Sequence, residues 1–394
     1  MGAEQNAPIR PVRRRALAVV ALVAVLASGC SLLYDTGALS SDRFEGRNNN
    51  TAGGQKAREY LLERLRSMSV GLDSSKTGDA AFEQPFTDGV NLLGLIPGTD
   101  LADEYVIVGA HYDHNGSNCR RPDPTDVICN GATDNATGVA VLLSIGQALR
   151  ERAPAPRRSV ILALWDREED GLLGSRHYVE HPIVPLAQTA AYVNFDIQGA
   201  NLLPSLRNTS FALASESGGT FLQDTVRASI GQSTLGTRLL SEIFGQGRSD
   251  HANFTGAQVP SVFFSDSTGP CYHTSDDEVG IVDWSKLAIQ AEIGYRVVAD
   301  LAASNARAVF TPSPLATYED AVTLQEVTEA AWVDRDRFTL EQRDTIAAFR
   351  TTLDAIVAAG AAEFGGDDVT AVLTGAAQAV SILATGVCDG FLTP

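Results

Sequence analysis

The chain has 394 residues, 44% hydrophobic and 20% charged, with a formal net charge of −18. That length exceeds one minimal domain and fits a large α/β domain with an appendage. The composition is that of a globular protein, and so acidic a surface repels nucleic acid and anionic membranes.

Arg10, Arg13, Arg14 and Arg15 precede an uninterrupted run of small and apolar residues from Ala16 to Ser28. The run is too short to span a bilayer comfortably but suits the core of a signal peptide. It ends in Leu26-Ala27-Ser28-Gly29-Cys30, which resembles a bacterial lipoprotein lipobox, although Leu26 stands one residue further from the Cys than is common. The resemblance implies removal of residues 1–29 and a lipid on Cys30. An ordinary cleaved signal is the alternative. Either reading puts the mature chain outside the cytoplasm, membrane-associated only through that lipid, and loss of four Arg and one Glu takes the net charge to −21. That charge suits solubility in salt, alone or together with attraction of cationic substrates. Cys119 and Cys129 lie in a polar loop where an oxidising compartment favours a local disulfide. Cys271 and Cys388 remain for a second pair, which would staple the C-terminal tail.

Residues 30–38 read as a tether, and the chain then enters a loop up to residue 50. Residues 53–68 show helical spacing, with Ala57, Tyr60, Leu61, Leu65 and Met68 toward a core. Residues 70–90 look irregular. Strands are expected at Val90–Ile96, Tyr105–Ala110, Ser159–Trp165, Ala190–Phe195 and Ser261–Phe264. Helices are expected at Gly138–Arg150, Leu172–Tyr178 and Lys286–Ala303. This alternation predicts an α/β fold: a mixed, largely parallel central sheet flanked by helices. Residues 201–245 show no assignable pattern. Pro312 and Pro314 mark a linker, and the Ala-rich residues beyond it predict a helical C-terminal appendage over 306–394.

Several apolar runs end in a residue able to bind a metal. Tyr105–Ala110 runs into His111-Tyr112-Asp113, and Ser159–Trp165 into Asp166-Arg167-Glu168-Glu169. Ala190–Phe195 runs into Asp196, and Ser261–Phe264 is soon followed by Cys271-Tyr272-His273. Ligands of open α/β sheets bind outside the carboxyl ends of the strands. A bare carboxylate at the end of a buried strand is costly unless paired or metal-bound. Asp134 adds another acid before the Gly138–Arg150 helix, where Asp134 or Asn135 could equally serve as a helix cap. His111, Asp134, Glu169, Asp196 and His273, with Glu168 beside them, offer the nitrogen and oxygen donors that zinc accepts. His114 reads as a residue at the edge of the site. His177, His181 and His251 read as structural. Asp276 and Asp277 either cap a helix or orient His273.

With those residues in place, the sequence resembles the di-zinc exopeptidase family of bacterial aminopeptidases, which also includes glutaminyl cyclases and glutamate carboxypeptidases. The resemblance runs over residues 39–300. It is carried by Leu39-Ser40-Ser41-Asp42-Arg43-Phe44-Glu45-Gly46-Arg47, Gly109-Ala110-His111-Tyr112-Asp113-His114, Thr133-Asp134-Asn135-Ala136-Thr137-Gly138, Glu168-Glu169-Asp170-Gly171-Leu172-Leu173-Gly174-Ser175, Asn194-Phe195-Asp196, Ser249-Asp250-His251 and Tyr272-His273-Thr274.

It implies an α/β/α sandwich over 39–305 and two zinc ions. His111 and Asp196 would hold one, Glu169 and His273 the other, and Asp134 would bridge them. Asp113 would orient His111, Glu168 would be the general base, and Tyr272 would hydrogen-bond the oxyanion. Thr133 stands where relatives often carry an acid, and the insert Asn115–Asn130 is expected to shape the rim. The implied activity is removal of N-terminal residues from peptides by a monomer. Two alternatives stay open on the same fold: a single-zinc glutaminyl cyclase, and a carboxypeptidase. The last needs a cationic pocket, for which Arg248 is a candidate. A non-enzymatic binding module would not need the full ligand set.

Overall fold

The computed structural model describes residues 31–391. The signal segment and Cys30 lie outside the described residues. No helix among those described is long and apolar enough to cross a membrane.

Among the described residues nine strands form one sheet: β1 (Val70–Gly71), β2 (Glu83–Phe86), β3 (Gly89–Ile96), β4 (Leu101–His111), β5 (Arg158–Trp165), β6 (Thr189–Phe195), β7 (Thr209–Leu213), β8 (Gly236–Leu240) and β9 (Ser261–Ser265). Their order is β1-β3-β5-β4-β6-β9-β7-β8, with β2 also paired to β3. The centre, β5-β4-β6-β9, is parallel. Antiparallel pairings flank it, β3 on β5 and β7 on β9.

The register explains the site. His111 pairs with Trp165 and Ala110 with Leu164, while Gly109 pairs with Asn194 and Phe195 with Phe264. The carboxyl ends of four strands therefore reach one edge together, and the loops leaving them meet there.

The described residues include helices α1 (Ala52–Met68), α2 (Thr137–Glu151), α3 (Leu173–Glu180), α4 (Gly219–Ile230), α5 (His251–Gly256) and α6 (Trp284–Ala303). Alternation along the strands divides the core into two faces. Val106, Val108, Leu162 and Leu164 pack with α1, α2, α4 and α6. Ile107, Ile161, Ala163 and Trp165 face the other way, toward Tyr178 of α3 and Phe254 of α5. Each buried large aliphatic side chain contributes about 1.5–3 kcal/mol, so a one-residue slip in register would be prohibitive.

Three more helices follow, α7 (Tyr318–Ala331), α8 (Leu340–Ala359) and α9 (Gly366–Leu383). Thr317 with Asp320 and Thr339 with Gln342 form capping boxes at α7 and α8. A Cβ on Gly375 of α9 would lie 2.0 Å from Phe349 of α8, so glycine sets how closely these helices pack. They cover the outer strands through a third apolar cluster, in which Phe211, Leu213 and Phe263 meet Leu324, Phe349 and Val372. Asp320 also accepts hydrogen bonds from the Ser241 N–H and hydroxyl at the end of β8. Beyond α9, Cys388 is disulfide-bonded to Cys271 and the Gly390 carbonyl accepts a hydrogen bond from Asn201.

The unassigned region 201–245 contains β7, α4 and β8. Its two strands are short and parallel to each other, a pairing that no local turn can announce. The irregular stretch 70–90 supplies β1 and β2 at the opposite edge, with Pro85 inside β2, where a missing N–H is tolerated.

Candidate metal centre

His111 ends β4, and its Nε2 lies 3.3 Å from Asp134 Oδ1 and 3.3 Å from Asp196 Oδ1. The other oxygen of Asp134 faces a second group. His273 Nε2 lies 3.3 Å from Asp134 Oδ2 and 2.9 Å from Glu169 Oε2. All five donors expected from the sequence thus converge, with Asp134 between two clusters.

Asp134 is held there by its backbone. The Thr133 N–H, the Thr133 hydroxyl and the Asp134 N–H all donate to the carboxylate of Asp277. Asn135 accepts the Gly138 N–H at the start of α2, so capping falls to Asn135 and leaves Asp134 free for the centre. Asp277 therefore neither caps a helix nor orients His273; it fixes the Asp134 loop.

Asp113 does more than stand beside His111. Its carboxylate is 3.7 Å from His111 Nδ1, while its backbone carbonyl sits closer, at 3.1 Å. The carboxylate accepts the backbone N–H groups of Glu168 and Glu169, at 3.0 and 3.3 Å. One residue thereby sets both acids. Asp196 is fixed by a relay: Trp165 Nε1 donates to the Tyr192 hydroxyl, Tyr192 to Asn194, Asn194 to Ser249, and Ser249 to Asp196 Oδ2.

Two residues carry more than the sequence reading gave them. His114 is fully buried, and its Nδ1 approaches Glu169 Oε1 to 2.7 Å. Together His114, Asp134 and Glu169 form a second donor triad beside that of His111, Asp134 and Asp196. Arg47, the last residue of the first motif, is buried and donates to the carbonyls of Leu39, Tyr112, Asn130 and Gly131. Burial lowers its guanidinium to about 10, against the pull of Asp134 and Asp277, and it stays charged.

The insert holds the loop that carries His273. Arg120 N–H donates to the His273 carbonyl and Ser275 N–H to that of Arg120, with Cys119 bonded to Cys129. Tyr272 stacks on His273, and its hydroxyl accepts from Arg248 at 3.2 Å. His251 is buried against Phe263 and His177 stacks on His181, and none of the three belongs to the donor triads.

The donor set fits a divalent cation. Each triad keeps its ligand atoms within 4.8 Å of one another. Asp134 Oδ2, Glu169 Oε1, both His114 nitrogens and His273 Nε2 are buried without a hydrogen-bond partner. Close contact without alignment is what donors aimed at a shared ion show. Burial opposes charge on His273, yet the adjacent carboxylates of Asp134 and Glu169 lift it to about 10. His111 is likewise raised, by Glu168 and Asp196 against burial. The carboxylates demand positive charge that a cation would supply. Glu168 stands apart: burial drives its carboxyl well above the usual range, against the pull of His111.

Residues 91–298 match the model of peptidase family M28. The chain belongs to that family. A probable glutamate carboxypeptidase of Arabidopsis thaliana is 34% identical to this M28 chain over 202 residues, covering 48% of the chain and 27% of the relative. The chain thus spans about a quarter of that relative's length. The crystal structure of the LapA aminopeptidase of Legionella pneumophila superposes with a TM-score of 0.58 at 17% identity, over 78% of this chain and 79% of that one. A Zn-dependent exopeptidase from Parabacteroides distasonis gives 0.54 at 18% identity, over 69% and 98%. These structures share the fold of this M28 chain: a mixed, mostly parallel sheet flanked by helices.

Proposed function

We propose that the chain is a zinc-dependent aminopeptidase that cleaves N-terminal residues from peptides. The observation that carries this reading is the pair of donor clusters sharing Asp134, with a buried Glu168 beside them. His111 and Asp196 would hold one zinc, Glu169 and His273 the second, and Asp134 both. Zinc bound there would polarise the scissile carbonyl and lower the pKa of an attacking water toward neutrality.

The chain's own residues do the rest. Glu168 takes a proton from the attacking water and returns it to the leaving amine. Burial raises its carboxyl well above the usual carboxylate range, which makes it a stronger base toward the water than an exposed carboxylate. Asp113 holds Glu168 and Glu169 by their backbone, so base and ligand keep their spacing. Tyr272 stacks on His273 and lines the same cavity as the donors; its hydroxyl would stabilise the developing oxyanion.

The direction of attack follows from charge. A site lined by Asp134, Glu168 and Asp196 attracts a terminal ammonium. A terminal carboxylate needs cations, and among the described residues lining the cavity the one cation is Arg248. Two disulfides favour an oxidising compartment, in keeping with export and an anchor at Cys30.

The test is a panel of aminoacyl arylamides, with and without chelator, beside a measured zinc content. Glu168→Gln should retain zinc and lose about 10²–10⁴-fold in turnover. Full activity in that variant would remove Glu168 from the mechanism. Ring closure of an N-terminal Gln peptide, with no peptide bond cleaved, would replace the hydrolase by a glutaminyl cyclase.

A further inference from the structure

The cavity that begins at the candidate centre continues well past it. Asp134, Glu168 and Asp196 line one end. Beyond them Phe211, Leu213 and Phe263 form a wall on the sheet, and Trp332, Ala379 and Leu383 form the facing wall on the C-terminal helical segment. What the cavity offers is reach: its apolar lining runs from the carboxylates of the centre to Ala379 and Leu383 of α9, and apolar walls with few polar groups are what ligand pockets are built from.

The second wall lies outside the part of the chain that matches the family, residues 91–298. It is fastened to the family-matching part of the chain at several points. Asp320 binds Ser241, Asn201 binds Gly390, and Cys388 is bonded to Cys271, next to Tyr272. A wall secured this way is pre-organised rather than loosely apposed.

Its chemistry selects the occupant. An extended peptide would bring an N–H and a carbonyl at every residue, each costly to bury without a partner. Among the described residues that line the cavity from α7, α8 and α9, the one hydroxyl is Thr328. A hydrocarbon chain makes no such demand.

The geometry points to an acyl pocket. The substrate amide carries, on the carbonyl side of the scissile bond, an apolar chain longer than any ordinary side chain, and that chain lies between the sheet and the C-terminal helices. This rests on reading the centre as one that hydrolyses amides. In the reaction the water oxygen bonds to the acyl carbon and the C–N bond breaks. The leaving nitrogen takes the proton, giving a long-chain acid and a free amine. A fatty-acyl group on a peptide nitrogen and an N-terminal residue with an alkyl side chain share this chemistry.

The experiment uses the zinc-loaded full chain and two anilide series. One runs from alanyl through leucyl to 2-aminodecanoyl, the other from butanoyl to dodecanoyl without an amine. In whichever series is cleaved, kcat/KM should rise about 3–4-fold per methylene. Which series responds identifies the source of the chain. Ala331→Phe and Ala379→Phe fill the cavity and should flatten that rise. A second readout does not need turnover: saturated carboxylates of six to fourteen carbons titrated against tryptophan fluorescence, since Trp332 lines the cavity. Dissociation constants should fall with length in the wild type and level off in a filled variant; if a variant does not fold, the wild-type titration decides alone. Length-independent kcat/KM and length-independent binding overturn the acyl pocket even if alanyl anilide is cleaved. Length-dependent binding with no anilide cleaved upholds the pocket and overturns amide hydrolysis instead.

Discussion

The two halves of the candidate centre are built from different material. Around His111 the donors sit at strand ends: His111 closes β4 and Asp196 follows β6, backed by the Ser249–Asn194–Tyr192–Trp165 relay. Around His273 they sit on loops. His273 has a left-handed backbone, φ 52°, and its side chain is 35% exposed against 1% for His111. What fixes it is Arg120 from the insert and the disulfide at Cys271. One half is pre-organised by the sheet, the other by cross-links laid over it. The strand-end half should therefore bind its metal more tightly and survive local damage better.

The largest effect should come from the residue both halves share. Asp134→Ala removes a donor from each cluster, and turnover should fall beyond the roughly 10⁴-fold upper limit for losing a general base. Zinc content should drop at both positions. A variant that keeps one full equivalent of zinc would show that the halves do not depend on a common ligand. Next is the staple. Cys388→Ser opens a disulfide whose loss typically costs about 2–4 kcal/mol of stability. Its effect on metal binding should be confined to the His273 half, read as one zinc equivalent becoming easier to chelate; equal weakening of both would erase the contrast. Ser249→Ala attacks the opposite half. Losing the hydrogen bond to Asp196 should cost about 10–100-fold in affinity for the metal at His111, with the His273 position little changed.

The same contrast governs what the sequence discloses. His111, Asp196 and the Glu168–Glu169 pair were legible because each follows an unbroken apolar run, and buried parallel strands write such runs. The loop half is harder. His114 looks like a bystander after Asp113, and only non-local packing brings it against Glu169: a Cβ on Gly131 would lie 2.5 Å from its ring. Asp277 resembles an ordinary capping residue until the Thr133–Asp134 backbone is seen to end on it. The outer strands β7 and β8 escape notice because five residues each carry little periodicity. The C-terminal helices announce themselves by composition and linker, but nothing local says which face of the sheet they cover. Phe263 settles that, facing opposite to Val262 and Phe264.

The smallest effect tests the strand-end half from behind. Asp166 leaves β5 and accepts hydrogen bonds from Asn49 and the Val90 N–H. Burial, and then the neighbouring charge of Asp113, push its carboxyl up to about 6 from 3.8. An acid with a raised folded-state pKa holds its proton in the native state after the unfolded chain has lost it. Its contribution is full below the unfolded value and is lost as pH rises through the folded one. Between pH 5 and 6 this group alone should lower stability by about 1 kcal/mol. Asp166→Asn removes the titration while keeping an acceptor toward Val90, so urea unfolding at constant zinc should show a shallower slope across that interval. An unchanged slope would mean that the strain behind the strand ends resides in another acid, and that the sheet-built half is less sensitive to the charge packed beneath it than its burial implies.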